Sequence, residues 1–403
     1  METLISPATA SQLICESIDS LPPETIPADQ AYGRIIRQNL VADRPFPPFD
    51  RIMMDGIAAR HSEILAGSLK LAGIHAAGNA CPSALPPQHC WQVMTGSILP
   101  TDCDTVVPVE ELDFTENSVA LKSNSESPIA GRFIHRRGSD SPAGAILLES
   151  GAHLGPAELG LAATVGATRL QVTRQPRIRL FSTGDELISP SQTPLPHQLR
   201  QSNQQTLAAA IRNYDPKHNH LIQQHLPDEK LLLHDALQSA LQESDLILLT
   251  GGISKGTRDL VRPCLEELIG APTFHGIFQK PGKPLAYWAP TSQSPPVLAL
   301  PGNPNSTLAT YYRYARLALA RLRGSTLPQP IHLPLAQPGP SAHPKLTLFL
   351  PATLQSNGEA LAHTMQNSGD LPAALGATGL IELEPDNSQN PPRTCQYWSF
   401  ADC

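Results

Sequence analysis

Between residues 177 and 323 short apolar runs alternate with helix-like stretches, and this alternation restricts the chain more than any other feature. "RIRLFSTGDEL", "HLIQQHLP" and the strongly apolar "DLILLTGG" read as strands. "NQQTLAAAIRN", which Asn203 can open, "DEKLLLHDALQSALQES", residues 259–269 and a long segment from Pro304 read as helices. Further strands are expected near 274–279, 285–288 and 297–300. Strand–helix alternation predicts a mostly parallel sheet covered by helices on both faces, here a three-layer α/β domain over 177–325.

The polar motifs of this region fall where its strands end. "STGDE" follows the first strand, "TGGISKGTRD" the third, "KPGKP" a fourth, and "LPGNPNS" follows the last and opens the final helix. The carboxyl ends of parallel strands share one edge, where open α/β sheets bind ligands. Gly251 and Gly252, with Ser254 beside them, let backbone N–H groups approach an anion. Pro301, Gly302, Asn303 and Ser306 make a tight turn into a helix start, whose dipole favours an oxyanion. Lys280 and Lys283 lie on a loop stiffened by Pro281 and Pro284 and present two point charges. No nucleotide P-loop, G-x-S-x-G elbow or Cys/His nucleophile pattern can be laid over these segments.

Carboxylates stand beside these cations: Asp185, Glu186, Asp245 and Asp259. They would repel an anionic ligand unless a divalent cation bridged the two, and Mg²⁺ held by one or two carboxylates plus water is the usual bridge to phosphate. Glu186, Asp245 and Asp259 are the candidate ligands. Asp259 reads equally as an acidic residue in the first turn of the helix that follows, whereas Asp245, at the foot of a strand, reads as a turn residue before it reads as a ligand.

Outside the α/β region the texture changes. Residues 46–140 are short apolar runs broken by Gly, Pro, Asp and Ser, which predicts a β-rich, barrel-like insert. Helices are expected over 8–20 and 156–166, and 1–45 and 141–176 are assigned to one small mixed domain with a linker helix. Residues 326–403 return to strand-like pieces and predict a C-terminal β-barrel-like domain. With 403 residues and 41 prolines, several compact units joined by stiff connectors are expected. The net charge of −7 argues against general nucleic-acid binding. Seven scattered cysteines without a C-x-x-C pair fit neither a disulfide framework nor a zinc ribbon. Without a signal-peptide pattern or a spanning apolar run, the chain is expected to be cytoplasmic, with no membrane partner.

Taken in order, the motifs resemble the MoeA/gephyrin family of molybdopterin molybdenumtransferases. "PPFDRIMMDGIAAR", "VMTGSILPTDCDTVVPVEE", "RRGSDSPAGAIL", "STGDEL", "QSN", "LLTGGISKGTRD", "KPGKP" and "LPGNPNS" are similar to that family's series. The resemblance implies a Mg²⁺-dependent enzyme that inserts molybdate into adenylated molybdopterin and releases AMP and molybdenum cofactor. It also implies an elongated homodimer with a cleft between the α/β domain of one subunit and the insert of the other. A molybdopterin-adenylylating enzyme and cofactor carriers would be its partners. By the same resemblance Asp55, Thr95, Asp140, Glu186, Asp245, Asp259, Lys280 and Lys283 hold functional motif positions, and Pro284 and Ser306 line the molybdate pocket. The chain departs from the pattern at Arg51-Ile52, Ser139 and Lys255, and at Leu348 and Pro351, where the family often has an acid and an arginine. The alternatives are an adenylyltransferase, which shares "TGG" and "PGNP" but lacks the extra domains, a scaffold, and a divergent paralogue with weakened activity.

Overall fold

The computed structural model describes residues 4–214, 220–253, 259–340, 343–386 and 391–401. The α/β unit is a six-stranded sheet ordered Leu221–Leu226, Ile178–Thr183, Leu246–Thr250, Val297–Leu300, Ala286–Trp288, Phe274–His275. The first four strands are parallel, Ala286–Trp288 runs against them, and Phe274–His275 pairs antiparallel to Ala286–Trp288. Every residue of Leu246–Thr250 is buried, as a strand covered on both faces requires. Leu246 and Leu248 enter one core with Leu207, Ile211, Tyr311 and Leu319. Ile247 and Leu249 point the other way, into a second core with Leu233, Leu237, Val261 and Leu265. Helices Lys230–Glu243 and Val261–Ile269 thus cover one face, and Asn203–Tyr214 and the helix from Pro304 cover the other.

One helix joins this unit from a distance in sequence. Pro7–Ser17, capped by Ser6 accepting from the Thr9 N–H, buries Ala10 and Ile14 one turn apart in the first of those cores. The sequence reading placed it with 141–176; the structure packs it against Arg316–Arg323 instead. The small mixed unit is built from the antiparallel pairs Pro23–Pro27 with Arg169–Thr173 and Leu40–Val41 with Ile146–Leu148. The helix Pro156–Thr164 completes it, around Ile36, Leu154, Ala162 and Val172.

The insert carries a mixed six-stranded sheet ordered Thr105–Pro108, Gly56–Ala59, His89–Val93, Leu69–His75, Ser118–Leu121, Leu112–Phe114. Among the described residues its two edge strands do not pair with each other, so the expected barrel is an open sheet. Alternation decides which face each side chain takes: Ala58 and Val106 line one apolar cluster, Ile57 and Val107 the other. The C-terminal unit is also a sheet, with Thr347–Leu354, Gly379–Leu383, Thr394–Ser399 and Ile331–Pro334 in order and Ala360–Ala362 paired to Thr347–Leu354. Its sixth strand, Gln279–Lys280, is lent by the α/β unit and runs parallel to Thr347-Leu348. Among the described residues no helix is long and apolar enough to cross a membrane.

Candidate functional site

Strands Ile178–Thr183 and Leu246–Thr250 are neighbours whose outgoing connections diverge. The first leads through Asn203–Tyr214 to Leu221–Leu226 on its far side, and the second leads off towards Val261–Ile269. Such a divergence leaves a crevice at the carboxyl ends. Here it measures about 450 Å³ and is lined by Thr183, Asp185, Glu186, Asp228, Gly251 and Asp259 among others.

Two glycines make this crevice possible. Gly251 has φ +91°, and a Cβ there would sit 2.7 Å from the Thr183 carbonyl oxygen. Gly252 has φ +66°, and its Cβ would meet Val261 Cγ2 at 2.5 Å. Both conformations and both clearances exclude a side chain. The acidic rim is organised in pairs. The Asp185 Oδ1 accepts the Asp228 N–H at 3.0 Å, and the Asp228 Oδ2 accepts the Asp185 N–H at 3.4 Å, which latches two strand-end loops together. Glu186 faces both this crevice and a larger cleft beside it.

That cleft, about 860 Å³, is floored by the "KPGKP" and "PGNPNS" turns and walled by Leu346, Leu348 and Leu350 of the C-terminal sheet. Lys280 and Lys283 are exposed on its edge, and neither forms an ion pair among the described residues. Pro284, Pro301, Gly302 and Asn303 line it, together with Ser306, which is 4 % exposed. The turn before the helix is fixed from several sides. Asn203 Nδ2 donates to the Gly302 carbonyl at 2.6 Å, Asn303 Nδ2 to Ser368 Oγ at 2.7 Å, and the Asn305 N–H to the Ser368 carbonyl at 3.0 Å.

The motif residues of the insert form a separate group. Asp55 Oδ1 accepts from the Thr95 N–H at 2.6 Å and the Thr95 hydroxyl at 2.7 Å, and these two bonds hold the carboxyl below its ordinary range. Gly56 follows because a Cβ there would collide with the Val107 backbone. Asp140 accepts from His135 Nε2 at 2.7 Å and from Ser139 Oγ at 3.2 Å; the His135 bond is the main cause of its lowered pKa. Asp55, Thr95 and Asp140 are exposed, and none of them reaches the cleft of its own chain.

Asp245 is corrected outright as a candidate metal ligand. It stands at the amino end of Leu246–Thr250, six residues and roughly 20 Å from the Gly251 edge. Both its oxygens are engaged there: Arg174 donates to each at 2.8 Å, and the Arg177 N–H and guanidinium add further bonds. Burial alone would raise its pKa, but the bonds from Arg174 and Arg177 outweigh burial and bring it to about 2. A second correction concerns "KPGKP". The expected strand over 274–279 is split: Phe274–His275 belongs to the α/β sheet and Gln279–Lys280 to the C-terminal one, so the two lysines bridge the units. Ser254 and Lys255 lie outside the described residues, while Asp259 is on the crevice wall.

Sequence reasoning missed Asp228 and Gln279. Asp228 could have been found, as it lies two residues past the carboxyl end of the strand Leu221–Leu226. Gln279 carries no signal beyond adjoining a motif. The "NSGD" stretch supplies Asn367 and Ser368 to the cleft. Pro351 is buried in Thr347–Leu354 opposite Leu380 and is absent from the cleft lining.

Residues 5–166 match the family described as MoeA N-terminal region (domain I and II), and residues 179–321 match the family described as probable molybdopterin binding domain. The chain is 35 % identical over 387 residues to a molybdopterin molybdenumtransferase of Synechocystis, covering 94 % of this chain and 95 % of that protein. It is 32 % identical to gephyrin of Dictyostelium discoideum over 78 % of its own length but 49 % of that longer protein. A solved structure of a molybdopterin biosynthesis moeA protein from Pyrococcus horikoshii OT3 superposes with a TM-score of 0.80 at 23 % identity, covering 98 % of this chain and all of that one, a likeness of fold. The cleft, its strand-end loops and these matches lead to one assignment: the chain belongs to the MoeA family of molybdopterin molybdenumtransferases.

Proposed function

We propose that the chain binds molybdate and adenylated molybdopterin and transfers the metal to the pterin, with release of AMP and molybdenum cofactor. The observation that carries this reading is the adjacency of two lysines, without an ion pair among the described residues, on one cleft and a carboxylate-lined crevice beside it, with Glu186 facing both. Lys280 and Lys283 supply positive charge for a doubly negative oxyanion, and Ser306 in the first turn of the helix adds a hydroxyl and the favourable end of the dipole. Gly251 and Gly252 let the phosphate side of the substrate approach the strand ends. The leucine wall keeps water from that side of the cleft and strengthens each charged contact.

Mg²⁺ belongs to the same proposal. Among the described residues no group of three side chains could hold a metal ion by itself. Mg²⁺ commonly keeps several waters and takes one or two carboxylates plus substrate phosphate. Glu186 and Asp259, both on the crevice wall, are the residues that would hold it. Bound there, it would neutralise charge developing on the leaving phosphate.

The exposed insert group gives the reading its second half. Asp55, Thr95 and Asp140 sit on a surface that its own chain leaves apart from the cleft, and a homodimer in which one insert faces the partner's cleft would bring them there. A molybdopterin-adenylylating enzyme would supply the substrate and cofactor carriers would take the product, in the cytoplasm. An adenylyltransferase role is not favoured, because the matches extend through the N-terminal region. The test is direct: purified protein, adenylated molybdopterin and Mg²⁺, with and without molybdate. AMP release that depends on molybdate and yields active cofactor is expected. Release indifferent to molybdate, or none, would refute the assignment.

A further inference from the structure

We infer that Gln279, held by Tyr314, is a positioning residue that sets the charges of Lys280 and Lys283 for oxyanion binding, an inference that rests on the reading above. Gln279 is 1 % exposed although it adjoins an exposed lysine. Its amide is satisfied at both ends: Nε2 donates to the Pro281 carbonyl at 2.9 Å, and Oε1 accepts from the Tyr314 hydroxyl. A peptide carbonyl can only accept, so the Pro281 contact fixes which way the amide points. Tyr314 is fully buried, which pushes its phenol far above the ordinary range and keeps it a donor at any working pH.

The lysine loop rests on this amide. A Cβ at Gly282, where φ is +93°, would meet Gln279 Nε2 at 2.5 Å and Thr310 Cγ2 at 2.7 Å. Glycine therefore lets the loop lie flat on Gln279 and on the helix that begins at Pro304. On its other side Gln279 is in register with Thr347, and Lys280 with Leu348, of the C-terminal sheet. Tyr314 lies in a π-helical turn, Tyr311–Ala315, interrupting the helix that starts at the "PGNPNS" turn. Such turns recur at functional sites. Its neighbour Arg313 donates to Glu382 at 2.9 Å and to Ser11 at 2.6 Å and lies 4.3 Å over the Trp398 ring. Adjacent side chains of one turn thus hold the C-terminal sheet and the lysine loop.

An oxyanion gains from two ammonium groups only if their spacing is kept when the ligand is absent. Tyr314→Phe removes one oxygen, leaves Gln279 Oε1 without its donor, and frees the amide to shift with the loop. Gln279→Leu removes the contact to Pro281 as well. The full-length protein is to be titrated calorimetrically with molybdate alone and assayed with adenylated molybdopterin. Each single variant is expected to raise the molybdate Kd and KM about tenfold, with kcat at saturating molybdate and KM for the pterin substrate within about twofold of the parent. The double variant should be no worse than the worse single, because both act through one contact chain. Hydrogen exchange across 279–285 should quicken in both. Unaltered molybdate affinity, a fall confined to kcat, or multiplicative losses in the double variant would overturn the inference. A parent that binds molybdate and turns over, with Tyr314→Phe identical to it, sinks only the positioning role. A parent that does neither sinks the enzymatic reading too. Tyr314→Phe keeps the aromatic core intact, so the test survives even if Gln279→Leu does not fold.

Discussion

Replacing Asp245 by asparagine separates two accounts of that residue. As a metal ligand, Asp245 would matter to turnover and little to folding. The structure makes it the anchor of a two-arginine clamp at the amino end of a central strand, with a side chain 9 % exposed. Its carboxyl falls from the ordinary 3.8 to about 2 in the folded chain, burial being outweighed by bonds from Arg174 and Arg177. That difference corresponds to roughly 2 kcal/mol of folding stability at neutral pH. Because the folded pKa is depressed, this stability is present in full above the unfolded value. It is lost as pH falls from about 3.8 towards about 2. Asp245→Asn should therefore lower unfolding free energy by roughly 2 kcal/mol at pH 7. The gap between the two proteins should narrow below pH 4 as the parent itself becomes protonated. Urea titrations at pH 7, 5, 4 and 3 measure the gap, and AMP release against Mg²⁺ concentration below the unfolding midpoint measures function. Stability unchanged at pH 7, combined with lost or Mg²⁺-independent turnover, would return Asp245 to the metal and refute the clamp.

The other expectations are more local. Lys283→Ala should weaken molybdate binding about tenfold in low salt and less at high ionic strength, as calorimetry across salt concentrations would show; salt-independent loss would mean the residue acts by packing. Gly251→Ala should cost roughly 2–4 kcal/mol of stability, from a positive φ and a Cβ within 2.7 Å of the Thr183 carbonyl oxygen, read by the shift in unfolding midpoint. Thr95→Val should let the Asp55 carboxyl titrate at higher pH, visible in its side-chain NMR shift, because a bond from the Thr95 hydroxyl is one of those that hold it low. Two inactive variants, Asp55→Asn and Lys280→Ala, should regain part of the parent activity when mixed and allowed to exchange subunits. No recovery despite demonstrated exchange would place the insert residues and the cleft in the same subunit.

The α/β sheet was legible because its strands are apolar on both faces and its helices have a clear period. Leu246–Thr250 and Lys230–Glu243 fall where their patterns put them. The glycines of 251–252 were legible as well, since a positive φ with no room for a Cβ leaves few other residues. What failed was longer in range. Nothing in "PATASQLICES" tells that its apolar stripe packs on a helix three hundred residues away, because an amphipathic face specifies burial and not a partner. Asp245 was left between a structural role and a metal because an acidic residue at the foot of a strand looks the same whether arginines or a cation face it. Gln279 was invisible because its role comes from Tyr314 and Pro281 arriving beside it, and no local spacing encodes that meeting.

The leucine wall bears on the missing arginine of the C-terminal unit. Leu348 and Leu350 alternate along Thr347–Leu354 and, with Leu346 just before it, turn one apolar face to the cleft, whereas Pro351 is buried opposite Leu380. An arginine would have added a third cation; the leucines change the medium around the two that remain. Two unit charges about 4 Å apart attract by about 1 kcal/mol in bulk water and about 4 kcal/mol at the effective dielectric near a protein surface. Excluding water from one side of Lys280 and Lys283 can therefore offset a lost cation without any new contact to the anion. The exchange has a condition. Lysine is a point charge with no bidentate geometry, so the discrimination that a planar guanidinium provides must come from where the two ammonium groups are held. On the proposed reading, drier walls and fewer cations make rigidity of the lysine loop the determinant of oxyanion affinity, and this chain places an amide hydrogen-bonded at both ends, Gln279, directly beneath that loop.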